Sequence, residues 1–201
     1  IASNPAVKYG KNCETKRSQK EGFPLLPILD KSRQKEYALL SLLDSADRYF
    51  SCQELAQSLK LSERTIHKYL QDLTTHLAEH CGQDFHIERS TALGIRLHRV
   101  PWLNIHTVYT KFAQKSMSYS FFHTMFLETS DTTTAFCLSH YLSQASLYRT
   151  LTPMRNAVAA FSLTLDIANM RLSGNEMQIR YFFNNFYLQI YRGYDWPFPA
   201  I

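Results

Sequence analysis

The chain has 201 residues, of which 45% are hydrophobic and 19% are charged, and its formal net charge is +5. This length suits two compact domains, but no apolar run reaches the roughly 18–20 residues of a transmembrane helix, and residues 1–20 lack the apolar core of a signal peptide. The four cysteines have no paired spacing, so we expect free thiols in a soluble, cytoplasmic protein without a membrane partner.

The excess positive charge lies mostly at the amino terminus. Residues 1–23 hold five lysines and arginines against two acidic residues, whereas residues 24–100 hold ten of each. Bulk charge alone does not establish nucleic-acid binding. Because residues 1–23 also lack apolar periodicity, we expect a flexible basic tail, or sequence left over from expression.

Three helices are predicted after the proline-containing segment "FPLLPILD". The first covers about residues 32–46, where apolar side chains recur on one helical face. The second begins at Ser51, which with Glu54 three residues later predicts a capping box. Ser62 is the predicted cap of the third helix, in which isoleucine and leucine recur at helical spacing.

Beyond Gly82 the apolar period changes from that of a helix to that of a strand. Apolar residues alternate in "DFHIERSTALGIRLHRV", which has Gly94 near its turn and predicts a β-hairpin. Helix, helix, short turn, helix and hairpin is the order of a winged helix-turn-helix. Residues 24–101 are therefore predicted to form one such domain.

The outward face of the third helix carries side chains suited to the major groove of DNA, which an α-helix fits. Arg64 and Gln71 can bond bidentately with guanine and adenine respectively. Lys68 and the hairpin residues Arg89 and Arg96 suit phosphate contacts. The same pattern also fits a small helical bundle or a winged helix that binds protein. The predicted DNA contacts of this unit are Ser62, Arg64, Thr65, His67, Lys68, Gln71, Arg89 and Arg96.

A second segment repeats the first at a displacement of 81 positions, as from Ser62 to Ser143. Two helical stretches, at about 103–115 and 119–128, lead into this repeat, and alternating apolar residues after it predict a second hairpin. Residues 102–174 are therefore predicted to be a second winged helix-turn-helix. The apolar ladder Ile66, Leu70, Leu73 and Leu77 maps onto Leu147, Leu151, Met154 and Val158.

The second recognition helix contains a proline at position 153. Proline removes a backbone donor and clashes with the carbonyl of Arg149, four residues earlier. Either the helix bends at Pro153 or Thr152 caps a new segment. We expect a bent helix, with its DNA-facing half at residues 144–152. The predicted DNA contacts of this helix are Ser143, Gln144, Ser146, Tyr148, Arg149 and Thr152.

Three further stretches point to a known family: "FCLSHYLSQASLYR", "FSLTL" and "MRLSGNEMQIRYFFNNFYLQIY". Their most specific parts are "LSGNE" at residues 172–176 and "IRYF" at 179–182. Together these residues resemble the Mga/RofA/AtxA group of Gram-positive transcription regulators, over about residues 32–195. The fold class expected is mainly α with small β-hairpin wings, as two tandem winged helix-turn-helix domains.

The resemblance implies a regulator of virulence or sugar-linked genes that binds double-stranded DNA with sequence or shape selectivity. Members of that group usually continue into phosphotransferase-regulated domains and an EIIB-like domain, which favour dimerisation. Residues 175–201 would then be a C-terminal helix and a linker towards such domains, and a homodimer would form through regions beyond this chain.

Enzymatic chemistry has little support in the sequence. Six glycines leave no phosphate-binding loop, and neither a Gly-x-Ser-x-Gly nor a His-Glu-x-x-His pattern is present. His76, His80 and Cys81 offer a zinc ion no distant fourth ligand. We expect no enzyme activity, no cofactor and no metal.

The helix predicted after residue 175 has a broad aromatic stripe at helical spacing. Core packing against the second winged unit is its simpler explanation. The alternative function is a protein-interaction module, in which the winged units and this aromatic helix bind a partner.

Overall fold

The computed structural model describes residues 26–129, 132–192 and 197–198, so the predicted basic tail lies outside the described residues. The predicted fold class is confirmed: a mostly helical chain carries two small antiparallel hairpins in two helix-turn-helix units. The elements are α1 (Lys31–Asp44), α2 (Cys52–Leu59), α3 (Glu63–Cys81), β1 (Phe85–Ser90), β2 (Gly94–Arg99), α4 (Ile105–Gln114), α5 (Met117–Phe126), α6 (Thr133–Ser139), α7 (Gln144–Ala159), β3 (Thr164–Asp166), β4 (Arg171–Ser173) and α8 (Glu176–Tyr191).

The helix starts of the first unit follow the caps that the sequence predicts. The Ser51 hydroxyl accepts from the Glu54 amide at 3.1 Å, and the Glu54 carboxylate accepts from the Ser51 amide at 2.7 Å. This reciprocal pair is the predicted capping box, and it satisfies two donors that α2 leaves unpaired. Ser62 caps α3 by accepting from the Thr65 amide at 3.2 Å.

The turn between the two helices of each motif has the same geometry in both units. Lys60 and Tyr141, which are 81 positions apart, both adopt the left-handed conformation with φ of 54°. The next residue in each turn donates its backbone amide to a carbonyl of the preceding helix. Leu61 donates to Ala56 and Leu142 donates to Cys137, both at 2.9 Å. The predicted repeat is thus confirmed down to the backbone of the turn.

Both recognition helices rest on the predicted apolar ladders. In α3 the ladder residues are at most 1% exposed, and in α7 they are fully buried. Burying a side chain of this size contributes roughly 1.5–3 kcal/mol, so these ladders decide which helix face turns outward. The buried ladder residues are Ile66, Leu70, Leu73, Leu77, Leu147, Leu151, Met154 and Val158.

The two predicted hairpins differ in size. β1 and β2 pair over six residues each, and a bridge between Phe50 and Ile95 adds a third strand position to this wing. Gly94 has φ of +107°, and a Cβ there would lie 2.5 Å from the carbonyl oxygen of Phe50. The second wing, β3 with β4, pairs over three residues each.

Pro153 does not end the second recognition helix. α7 runs without a break through residue 159, and Pro153 is exposed. Thr152 donates its hydroxyl to the Tyr148 carbonyl at 2.9 Å from within the helix, so it is not a cap. The expectation of a new segment capped by Thr152 is therefore wrong, because the buried ladder on both sides of Pro153 holds one helix together. A bend at Pro153 stays a prediction.

The aromatic stripe of α8 packs mainly into the core of the second unit. Phe182 and Phe186 are fully buried, and both rings pack at a tilt against Phe122 of α5, with ring centroids 5.3 and 5.6 Å away. Core packing is thus the main role of the stripe.

Within the described residues, none of the helices combines the length and the apolarity that crossing a membrane requires.

Candidate nucleic-acid interface

The outward face of α3 presents a line of polar side chains. Arg64, Lys68 and Gln71 are exposed and follow one another at the i, i+4 and i+7 positions of a single helix face. None of the three side chains forms a hydrogen bond or an ion pair with another described residue. Their donors are therefore available to a ligand outside the chain.

The other predicted contacts at the start of α3 already bond within the molecule. The Ser62 hydroxyl caps the helix and lies 2.7 Å from the hydroxyl of Thr65, which is half-buried. His67 Nε2 lies 3.5 Å from Cys52 Sγ, and burial raises the pKa of that thiol. These residues shape the helix start, and their role at DNA stays a prediction.

The wing arginines are also engaged. Arg89 Nη2 donates to Thr74 Oγ1 at 3.3 Å, which lays the side chain against α3. Arg96 donates to Asp47 Oδ1 through Nη2 at 2.7 Å and through Nε at 3.2 Å. This hydrogen bond and the Asp47 charge raise the pKa of Arg96. The sequence did not show that the predicted phosphate contact at Arg96 has an acidic partner of its own.

The outward face of α7 is basic, because its charged residues are two arginines and it has no acidic residue. Tyr148 is 40% exposed and Arg149 is exposed, and neither side chain has a hydrogen-bond partner among the residues described. Arg149 occupies the position that Lys68 has in the first unit, 81 residues earlier. The two units therefore present a free cation at equivalent points.

The remaining predicted contacts on α7 have internal partners. Ser143 caps the helix by accepting from the amide of Ser146 at 3.2 Å, and Ser146 is half-buried. Gln144 Nε2 donates to Thr134 Oγ1 at 3.0 Å, which ties α7 to α6. Thr152 is exposed, although its hydroxyl donates to the helix backbone.

One residue of this face was missed by the sequence analysis. Arg155 is exposed and continues the line of Tyr148 and Thr152 at helical spacing. It was left out because Pro153 was expected to end the DNA-facing half at residue 152. The apolar repeat, which continues to Val158, was the signal that the helix and its exposed face extend further.

The histidines considered for metal binding have other roles. His76 Nδ1 lies 3.1 Å from a Glu36 carboxylate oxygen, and His80 is half-buried beside Glu79. In the described part of the chain, no group of three His, Cys, Asp or Glu residues is arranged to hold a metal ion.

Comparisons with known proteins identify both units. Residues 102–187 match the Mga helix-turn-helix domain, and residues 35–91 match an HTH domain. A putative trans-acting regulator from Streptococcus pneumoniae serotype 4 is 28% identical over 172 residues, which are 85% of this chain and 34% of that protein.

Two capsule synthesis positive regulators of Bacillus anthracis are also similar. AcpB is 24% identical over 175 residues, covering 86% of this chain and 35% of AcpB. AcpA is 25% identical over 170 residues, covering 85% of this chain and 34% of AcpA. The chain thus spans about a third of the length of these relatives.

Proposed function

We propose that α3 and α7 both bind double-stranded DNA and that this binding regulates transcription. The helix-turn-helix units of this chain are homologous to trans-acting regulators of the Mga and AtxA type. One observation carries the proposal. Each unit turns a polar helix face outward, over the same buried ladder, with an unpaired cation at the equivalent position, Lys68 or Arg149.

In the proposed complex each recognition helix lies in a major groove. The N-terminal half of α3 faces the base edges, where Arg64 and Gln71 hydrogen-bond with guanine and adenine. Lys68 and Arg149 contact phosphates beside the groove, and the free amides at each helix start favour a nearby phosphate as well. Tyr148 and Arg155 extend the contact surface of α7.

Two binding units on one chain strengthen each other, because binding of one raises the effective concentration of the other at the neighbouring site. We assign residues 24–101 to the first unit and 102–174 to the second, with the α8 helix packed on the latter. Selectivity would arise from base contacts together with the deformability of the DNA.

The names of the relatives suggest the regulated genes. Two of the similar proteins are named as positive regulators of capsule synthesis. We propose that this chain likewise acts in the cytoplasm as an activator of virulence or sugar-linked genes. Homodimerisation through regions beyond this chain is part of the same proposal.

The salt dependence of DNA binding tests the function. Lys68, Arg149 and Arg155 would each neutralise a phosphate and displace a counterion, so log K should fall against log salt with a slope of about −3. The measurement is a mobility-shift titration of a duplex from upstream of the protein's own gene, at a series of salt concentrations. No duplex binding at low salt would contradict the proposal.

One feature favours the alternative, a protein-interaction module. An open groove of about 920 Å³ runs between the end of α5, the second wing and α8. Phe126 and Leu188 on its wall are 42% and 48% exposed, and Phe198 lies against Phe126 with ring centroids 5.4 Å apart. Association with a protein at all salt concentrations, without duplex binding, would select this function.

A further inference from the structure

We infer that a buried polar cluster at the junction of the two units holds α3 and α7 in one fixed relative orientation. The cluster consists of Arg33 and Glu36 of α1 and His76 of α3, and we call it the Glu36 cluster. The consequence for DNA rests on the proposed function, whereas the fixed orientation itself does not depend on DNA.

The Glu36 carboxylate is the centre of the cluster, and Glu36 is only 2% exposed. Arg33 Nη1 donates to Glu36 Oε2 at 2.8 Å, and His76 Nδ1 lies 3.1 Å from the same oxygen. A carboxylate this deeply buried is unfavourable unless its partners stay in place. Glu36 therefore ties α1 to α3 at one defined position.

Phe112 of α4 brings the second unit into this arrangement. Its ring is 2% exposed and lies under the Arg33 guanidinium, with the Cζ atom 4.9 Å from the ring centroid. The His76 ring is nearly perpendicular to the Phe112 ring, with an interplanar angle of 82° and ring centroids 5.7 Å apart. The cation and the ring attract each other electrostatically, and the contact requires both units to be correctly placed.

A second connection involves Tyr109, which lies about one turn before Phe112 on α4. Gln189 of α8 binds the backbone of Leu26, just before α1, from both sides: Leu26 N donates to Oε1 and Nε2 donates to Leu26 O, each at 2.8 Å. Gln189 Nε2 also donates to the Tyr109 hydroxyl at 3.1 Å. The Tyr109 ring meets Tyr37 of α1 edge-on at 5.1 Å. Two separate points of attachment leave little freedom to rotate.

A third contact between the units is of a different kind. Lys115, which directly follows α4, lies 3.8 Å from Glu79 of α3, but both side chains are more than half exposed. Exposed ion pairs of this sort contribute little to stability. This pair therefore serves as a matched control for the Glu36 cluster.

A fixed orientation has a consequence for DNA recognition. If α3 and α7 are set rigidly, both reach the same duplex only when their contact sites have one spacing and one rotational phase. DNA turns once in about 10.5 base pairs, so inserting about 5 base pairs between the two sites rotates one of them away. A chain in which α3 and α7 have a fixed orientation then loses one of its two contacts with the duplex, whereas two loosely tethered units tolerate the insertion.

The orientation can be measured without DNA, by pulsed electron spin resonance between nitroxide labels on α3 and α7. Exposed Thr75 and Thr150 supply the label sites as cysteines, in a background with the native cysteines replaced by alanine. We expect one narrow distance distribution in the parent chain and in Lys115→Ala. Glu36→Leu should lose the narrow peak, and Glu36→Gln, which keeps the shape and a hydrogen-bonding oxygen, should restore much of it.

Two results would overturn the inference: a broad distribution in the parent chain, or an unchanged narrow peak in a folded Glu36→Leu variant. Circular dichroism checks the folding of each variant. If Glu36→Leu does not fold, Gln189→Ala replaces it, because Gln189 is half-buried and its removal breaks the second attachment. An unchanged peak in that variant overturns the inference equally.

The DNA consequence is tested separately, with duplexes that carry or lack the insertion of about 5 base pairs between the contact sites. The parent chain should lose affinity for the longer duplex, and Glu36→Leu should lose less. Equal affinity of the parent chain for both duplexes contradicts the claim that α3 and α7 contact one duplex in a fixed relative orientation. Absence of binding to either duplex counts against the proposed function instead, since the spin-label distances decide the orientation on their own.

Discussion

Replacing Arg64 and Arg149 together by alanine should weaken duplex binding about a hundredfold. A good arginine contact to a base or phosphate contributes about 1–3 kcal/mol, so each single replacement should cost about tenfold. The two residues lie on different helices, and the effects of separate sites usually add. A mobility-shift titration of the parent, both single variants and the double variant measures this.

The matched control is Arg180→Ala on α8. Arg180 is exposed, like the recognition arginines, with 75% of its side chain accessible. It is paired with Glu176 and lies on a helix that we do not place at DNA. Its replacement should leave affinity unchanged, so any loss through net charge alone would show there. Unchanged affinity in the Arg64 and Arg149 variants would mean that these helices are not the DNA-binding surface.

Replacing Phe186 by alanine should lower the free energy of unfolding by about 3–5 kcal/mol, because removing a large buried ring leaves a cavity. Phe186 is fully buried and its ring lies within 5.6 Å of Phe122 and 5.3 Å of Tyr187, centroid to centroid. Urea unfolding followed by circular dichroism gives the value. The substitution removes no side chain that we place at DNA, so its expected effect is a loss of stability.

Leu188→Ala on the same helix is the control for this prediction. Leu188 is 48% exposed, and substitutions at such positions usually change stability by less than about 0.5 kcal/mol. Comparable losses of unfolding free energy in both variants would show that α8 does not stabilise the fold through the packing of its buried side chains. The large difference is expected because Phe186, unlike Leu188, is buried between α5 and α8.

The helices and hairpins were predictable because their signals are local. Ser51, Ser62 and Ser143 cap helices through bonds that span three residues, and the apolar ladders repeat at helical spacing. Because the same pattern recurs 81 positions later, the second motif was predictable from the first. Such signals fix where a helix begins and which face is buried, and both were confirmed.

The contacts between elements distant in sequence were not predictable. Glu36 looks like an ordinary exposed helix residue, and only the fold brings His76 beside it, 40 positions later. Gln189 and Leu26 are 163 positions apart. Pairings of this kind follow from how the two units pack, and no periodicity along the chain encodes them.

The candidate site shows the same division. Periodicity placed Arg64, Lys68 and Arg149 on outward helix faces, where the structure also has them. It did not reveal that Arg96 is held by Asp47, because that pair joins β2 to the turn after α1. Local rules also allowed a new segment capped by Thr152 at Pro153, but the buried residues on either side of the proline keep α7 one helix.

A hydroxyl-radical footprint on the DNA upstream of the protein's own gene is the most direct measurement of the central claim, that two equivalent helix faces on one chain grip a single duplex. We predict two protected tracts on one face of the DNA, with Arg64→Ala weakening one tract and Arg149→Ala the other. A single tract that neither variant alters, or no protection at all, would contradict the claim.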